Sequence, residues 1–505
     1  MADERCNLAE YFLDHNVETR PDKVALRFED QCYTFREVHD WSCRVGNFLR
    51  EVGLREEDRV LLAMNDIPAF AMTWFGVVRV GGVVAMMNPI VPAEDWSYYL
   101  RYTRARVLVT ERAFAVQHKD LIDYALTNQL RRVLVVDDPV DRETLLEQST
   151  ECAYGDTGPD DPSVWLFSSG STGKPKACMH VNADFVFNTE NYAKKVLGIR
   201  ESDVTLSVPK QFFGYATGTN VMFPWAVGAT TCFFAERATP ETVLAKINQF
   251  RPTILTNVPT MIARMLEHPD AATTDLSSVR MVLSAGEALP AELYRRWTER
   301  TGVEILDGIG SAEMFHIYIT NYPGDVKLGT LGRLVPGYEA KLVGLDGLEV
   351  PRGEIGNLHL KGASNAIGYH RDRAKSRATF AGEWTITGDQ FRIDDEGRFV
   401  YCGRADDLLK VGGVFVSPVE VENCLLTHPR VREVAVVGYE RDGLVLTCAF
   451  VVPNAGDTDG LDAELQEFVK RTLAPHKYPR MVRFLAEMPR NDRGKAARAE
   501  LRKRV

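Results

Sequence analysis

The sequence predicts an α/β protein built from two successive runs of alternating strands and helices, then a β-rich piece and a smaller mixed α/β unit. Three observations carry that expectation. Short apolar strand segments are separated by helix-length patterns, the arrangement of parallel sheets. From about Gly329 the texture changes to short strands, glycines and turns. The chain's 505 residues exceed a single domain, with a prior of about three domains or large subdomains at roughly 150 residues each.

In the first run, Val24–Phe28 reads as a strand. Thr34 followed by Glu37 has the spacing of a capping box, so a helix starts there and runs to about Val52. Asp58–Met64 is a strand, the next stretch a helix, and Gly82–Met87 a further strand; Arg106–Thr110 and Arg132–Val136 repeat the pattern. The second run places strands at Val164–Phe167, Thr205–Val208, Thr230–Phe234, Ile254–Asn257 and Met281–Ser284. After Gly329, Asp346-Gly347, Pro351-Arg352-Gly353 and Asp395-Glu396-Gly397 are turn signals of the β-rich piece. The last unit ends in a basic helix, and the main boundary falls at Gly403-Arg404, giving domains 1–403 and 404–505.

Composition narrows the class. A hydrophobic content of 45% excludes disorder, and a net charge of −10 disfavours nucleic acid or a membrane surface as a partner. The most apolar stretch, Trp74–Met87, is too short to span a bilayer and carries Arg79. The acidic start lacks the apolar core of a signal peptide. The nine cysteines are scattered without metal-ligand or redox spacing, which implies reduced thiols, and the ten histidines form no His-Glu-x-x-His group. A cytoplasmic, globular protein is expected.

The most informative segment is Val164–Lys176. A strand feeds a loop with the hydroxyls of Ser168, Ser169, Ser171 and Thr172, the glycines Gly170 and Gly173, and Lys174 and Lys176. Glycines let the main chain approach an anion, while amides, hydroxyls and ammonium groups donate to it, so the loop suits a polyphosphate. It is not a Walker loop, because two residues separate its glycines and Pro175 stands where a Ser or Thr belongs.

This loop resembles the phosphate-binding loop of the acyl-adenylate-forming (AMP-dependent synthetase/ligase) enzymes. Four further segments agree in order. Asp307-Gly308-Ile309-Gly310-Ser311-Ala312-Glu313 resembles the family's adenine and magnesium motif, and Thr387-Gly388-Asp389 its ribose motif. Gly403-Arg404-Ala405-Asp406-Asp407 with Lys410 and Gly412-Gly413 resembles its hinge, and Pro489–Arg498 its C-terminal lysine motif. The resemblance covers about Asp22–Arg498 and implies a large N-terminal domain with a small mobile C-terminal lid, using ATP, Mg²⁺ and coenzyme A.

The resemblance also implies roles. Lys495 bridges the substrate carboxylate and the α-phosphate, and Glu313 holds magnesium as the hard oxygen ligand it prefers. Asp389 accepts from the ribose hydroxyls and Arg404 meets the ribose or phosphate from the other side. Gly286 and Glu287 border the nucleotide. Asp406 is the hinge; rotation about it withdraws Lys495 and brings Lys410, Gly412 and Gly413 to the thiol tunnel. The family's usual Thr before the glutamate is replaced by Ala312, so either Ser311 or the main chain supplies the lost contact, or adenylation is slowed.

Lys210–Ala216, Ser284–Pro290 and Met314–Tyr318 resemble the benzoate-CoA ligase branch. Phe213, Gly214, Tyr215, Ala285, Ile309, Gly310 and His316 then line a short, flat, apolar slot for one aromatic ring, closed by Lys495. An amino-acid substrate is disfavoured because Phe212–Ala216 lack the Asp that would meet an α-ammonium. With Val505 as the last residue, the thiol acceptor is expected from solution. The expectation is an aryl-CoA ligase acting on benzoate or a substituted benzoate, in a family where homodimers are common. The alternatives are an enzyme loading a carrier-protein phosphopantetheine, and a nucleotide-binding protein with weakened catalysis.

Overall fold

The computed structural model describes residues 5–169, 174–405, 409–411, 414–441, 444–454, 458–490 and 496–505. Among them, the first run and the strand before the phosphate loop form a seven-stranded sheet. Its parallel centre is Pro162–Ser169, Val83–Met86, Arg59–Ala63, Val107–Thr110 and Arg132–Val135, in that spatial order. Pro175–Val181 folds back antiparallel onto Pro162–Ser169, and the edge strand Gly368–Tyr369 pairs with it in turn.

The nine-stranded second sheet has a parallel core of Ile305–Gly310, Met281–Ser284, Ile254–Asn257, Val204–Ser207, Thr230–Phe233 and Val24–Phe28. Antiparallel strands close both ends, Ile317–Thr320 with Arg333–Leu334 at one and Gln31–Thr34 at the other. Two expectations change here. Both sheets are mixed rather than purely parallel, and Val24–Phe28 crosses from the first run into the second sheet, where Leu26 sits beside Thr231. Strand periodicity specifies a buried face but not a neighbour.

The helix after Thr34 spans Phe35–Glu51, and its capping box is present: Thr34 Oγ1 accepts from Glu37 N at 3.2 Å and Glu37 Oε2 from Thr34 N at 2.7 Å. It packs on Pro68–Arg79, where Gly76 fits against Ser42 and Val45. At the end of that apolar helix, Arg79 is buried and held bidentately by Asp14, at 2.8 and 2.6 Å. No helix among the described residues is long and apolar enough to cross a membrane.

The β-rich piece is a five-stranded antiparallel sheet. In it Trp384–Ile393 lies between Gly356–Lys361 and Phe399–Arg404. Further on, Val431–Arg441, Leu444–Pro453 and Met481–Phe484 form a three-stranded sheet. Helices Pro418–Leu426 and Leu461–Thr472 cover it, with Val421, Leu425, Val451, Leu461, Leu465 and Val469 in a core of its own. The basic terminal helix, Arg498–Lys503, is tied to this unit through Arg498 Nη2 and Glu422 Oε2 at 2.9 Å.

Candidate active site

The site lies where the hairpin of the first sheet, the end of Ile305–Gly310 and the β-rich sheet meet. The hairpin register puts Ser168 opposite Lys176 and Ser169 opposite Pro175, so the polar residues flank the tip of a rigid two-stranded ribbon. Lys176 Nζ is 3.2 Å from Asp372 Oδ2, and Lys174 Nζ lies 5.5 Å from the centre of the Tyr98 ring. Gly170, Ser171, Thr172 and Gly173 lie outside the described residues, as do Asp406, Gly412, Gly413 and Lys495; the side chains of Ser169 and Lys410 are outside them too.

Glu313 sits in the short 3₁₀ turn Ala312–Met314 that follows Ile305–Gly310. Its Oε1 accepts a hydrogen bond from Tyr369 OH at 2.7 Å, and its main-chain oxygen accepts from Ala366 N at 2.9 Å. Tyr369 stands opposite Cys178 in the strand register, and that buried thiol lies against both Ser168 and Glu313. Burial pushes the Cys178 thiol well above its ordinary value, with the Glu313 charge adding to it.

Asp389 and Arg404 are directly paired across neighbouring strands, and Arg404 Nη1 donates to Asp389 Oδ1 at 3.0 Å. Burial raises the Asp389 carboxyl above its usual range, opposed by Arg404 and increased by the charge of Glu313, so the three groups share one field. Asp307 is opposite Ser284 in the sheet and accepts from its hydroxyl at 2.8 Å. Burial pushes Asp307 up to about 7 against that hydrogen bond, and Glu287 adds to the rise. Glu287 itself accepts from Thr260 Oγ1 at 2.6 Å, next to Gly286 in the turn after Met281–Ser284.

On the other side of Ile309 and Gly310 lie the residues expected to line the acid slot. Gly310 is required, since a Cβ there would stand 2.5 Å from the His316 carbonyl oxygen. Gly218 plays the same part against the His316 ring, whose Cδ2 would be 2.5 Å from an added Cβ. His316 Nε2 donates to the Tyr215 carbonyl at 3.1 Å; burial lowers its pKa to about 3, so the ring is neutral and its lone pair sits on Nδ1. That Nδ1, the Tyr215 hydroxyl and the Ser311 hydroxyl are buried without a hydrogen-bond partner among the described residues. Phe213 is 43% exposed at the start of the short helix Gly214–Thr217, while Ala285 is buried.

Four contributors were missed in the sequence: Tyr369, Asp372, His180 and Asp184. His180 Nε2 lies 2.7 Å from the Ala312 carbonyl and its Nδ1 2.7 Å from Asp184 Oδ2. The His180–Asp184 spacing was visible, but its partner Ala312 is 132 residues away. Tyr369 belongs to an edge strand whose pairing no local pattern announces, and Asp372 caps the helix Arg373–Thr379 that follows it.

The site thus brings a hydroxyl- and lysine-bearing hairpin, the Asp389–Arg404 pair and the Glu313 turn together, on a fold shared with nucleotide-using, acid-activating enzymes. The chain belongs to the AMP-binding enzyme family: residues 13–370 match that family and residues 420–495 its C-terminal domain. It is 40% identical to a benzoate–CoA ligase of Thauera aromatica, covering 99% of this chain and 96% of the relative. It is 38% identical to a 4-hydroxybenzoate–CoA/benzoate–CoA ligase of Rhodopseudomonas palustris, covering 98% and 94%. Among solved structures, an anthranilate CoA ligase bound to anthranoyl-AMP superposes with a TM-score of 0.93 at 38% identity, covering 99% of this chain and 97% of that one. A benzoate CoA ligase from Burkholderia xenovorans gives 0.89 at 40% identity, covering 98% and 99%.

Proposed function

We infer that the protein is an ATP-dependent aryl-CoA ligase, an acid–thiol ligase that activates benzoate or a ring-substituted benzoate. One observation carries the reading: Glu313 and the Asp389–Arg404 pair share one field, and the chain runs on from Glu313 to a neutral, buried histidine packed among the Tyr192, Tyr215 and Phe223 rings. A carboxylate is a poor electrophile because its charge is spread over two oxygens. In the first half-reaction its oxygen attacks the α-phosphorus of ATP and pyrophosphate leaves, forming an aryl-AMP anhydride. In the second, a thiolate attacks the carbonyl carbon and AMP leaves. The enzyme's task is to hold two anions together while charge develops at phosphorus.

In this reading the hairpin tip, Lys174 and Lys176 meet the phosphates, Asp389 and Arg404 the ribose, and Lys495 bridges carboxylate and phosphate. Magnesium, when bound, neutralises phosphate charge and would be held by Glu313. Glu313 fits such an ion, because Tyr369 holds its carboxylate through Oε1 and a phosphate-shared Mg²⁺ needs only a carboxylate or two. The unit from Arg404 onward would then rotate about Asp406, taking Lys495 away and bringing Gly412 and Gly413 to the thiol in a cytoplasmic reaction with free CoA.

The lone pair of His316 Nδ1 favours an acid whose ring carries a hydrogen-bond donor, a hydroxyl or an amino group. Incubation with ATP, Mg²⁺, CoA and a panel of benzoates should release AMP and pyrophosphate and yield aryl-CoA. Absence of aryl thioester with every acid overturns the reading. Failure to saturate with free CoA, while a carrier-protein phosphopantetheine is loaded, replaces CoA as the acceptor.

A further inference from the structure

We propose that His180 and Asp184 are a positioning pair that fixes the Glu313 turn to the phosphate hairpin, so the two anion-handling elements act as one rigid unit. His180 belongs to the returning arm of the hairpin, Pro175–Val181, and is fully buried. Its Nε2 lies 2.7 Å from the Ala312 carbonyl oxygen, and since a carbonyl only accepts, the imidazole donates. Its Nδ1 faces Asp184 Oδ2 at 2.7 Å, and the same oxygen accepts from Val181 N at 3.2 Å. Asp184 thereby holds both the ring and the strand end that carries it.

The carbonyl that His180 grips belongs to the peptide joining Ala312 to Glu313. Fixing that oxygen fixes the plane from which the Glu313 side chain leaves. The grip is needed because the chain just beyond is strained. Phe315 has φ 64 and ψ −57, the central residue of a tight turn in which His316 N donates to the Met314 carbonyl at 2.8 Å. A bulky residue at positive φ persists only where its surroundings hold both ends. On the far side His316 is anchored to Tyr215; on the near side the grip is His180, with the Phe185 ring 4.4 Å from that of Phe315. Ala312 has no side-chain polar group, so its main chain is the handle.

Neither residue is placed against substrate, so the predicted effect is on turnover rather than acid binding. The inference rests on the adenylation reading for Glu313. Glutamine places an amide nitrogen where imidazole Nε2 stands, whereas asparagine places one near Nδ1. His180→Asn therefore keeps the Asp184 contact and loses the Ala312 donor, and His180→Gln does the reverse. His180→Asn should lower kcat for pyrophosphate release by about 10- to 100-fold, with KM for the acid within about twofold. His180→Gln, which keeps the Ala312 donor, should lose less kcat than His180→Asn, and Asp184→Asn should lower kcat by about 3- to 10-fold, because its one atom at the Oδ2 position cannot both accept from Val181 N and donate to a neutral His180 Nδ1.

A folded His180→Asn enzyme with unchanged kcat overturns the pair, as does a His180→Gln enzyme impaired as severely as His180→Asn. Should His180→Asn fail to show a cooperative thermal melt, Asp184→Asn decides: a folded enzyme with lowered kcat and unchanged KM for the acid supports the pair, and one with unchanged kcat overturns it. Failure of the functional reading looks different, because the unmutated protein would then form no aryl-AMP from any acid.

Discussion

On the side proposed for the nucleotide, polar groups are tied in pairs before any ligand arrives. Arg404 holds Asp389, Asp372 holds Lys176, Tyr369 holds Glu313 and His180 holds Ala312. On the side proposed for the acid, the Tyr215 hydroxyl and His316 Nδ1 are buried with no hydrogen-bond partner among the described residues. A pre-ordered set of charges needs little rearrangement when an anion binds, which is what transition-state stabilisation requires. An unpartnered buried polar atom carries a cost of about 1–3 kcal/mol that a matching ligand can relieve, which is what selectivity requires. On the proposed assignment the nucleotide meets groups mostly paired already, the Ser311 hydroxyl excepted, while the acid is chosen by groups left waiting.

Substitutions should separate the two sides. The largest effect belongs to Lys495→Ala, with pyrophosphate release falling by about 100-fold or more while supplied aryl-AMP is still converted to thioester. Equal loss of both half-reactions would remove Lys495 from its bridging role. Next, Asp389→Asn should raise KM for ATP by about 10-fold and leave KM for the acid within about twofold, read from steady-state kinetics in each substrate. On the acid side the pattern should invert. His316→Leu should leave KM for ATP unchanged and cut the preference for hydroxy- or aminobenzoates over benzoate by about 5- to 10-fold in kcat/KM.

The smallest effect concerns pH. Asp307 is held at about 7 against an ordinary value of 3.8, so between those values the native state keeps a proton that the unfolded chain has lost. Its contribution is present below the ordinary carboxylate value and is lost as pH rises through about 7. Asp307→Asn should therefore lose less stability between pH ~4 and ~7 than the parent, measured by thermal melts. Some slope should remain, because Asp66 is also buried and held at about 7. His316, lowered to about 3, works with the opposite sign, its contribution vanishing on acidification.

Much of the site could be read along the chain, because the phosphate ribbon, the Glu313 turn and the Thr387-Gly388-Asp389 segment are each local. A loop that approaches an anion needs glycines and donors within a few residues, and such runs are visible without a fold. The partners were not legible. Tyr369 meets Glu313 across 56 residues, and Arg404 meets Asp389 through a strand register. Glu287 read as a nucleotide residue, yet its carboxylate already accepts from Thr260 N and Oγ1 at the start of the helix Pro259–Glu267.

The same division holds for the fold. Apolar runs, the Thr34–Glu37 cap and the turn-rich stretch after Gly329 determined by themselves which segments are strands and helices, since those depend on side-chain period and on hydrogen bonds closed within a few residues. The tertiary structure alone decided that Val24–Phe28 leaves its neighbours in sequence to lie beside Thr230–Phe233, that Pro175–Val181 turns back antiparallel, and that Arg79 is buried on Asp14. Each is a choice among partners that satisfy the same local pattern equally well. Only the packing of whole sheets and the pairing of buried charges tells them apart.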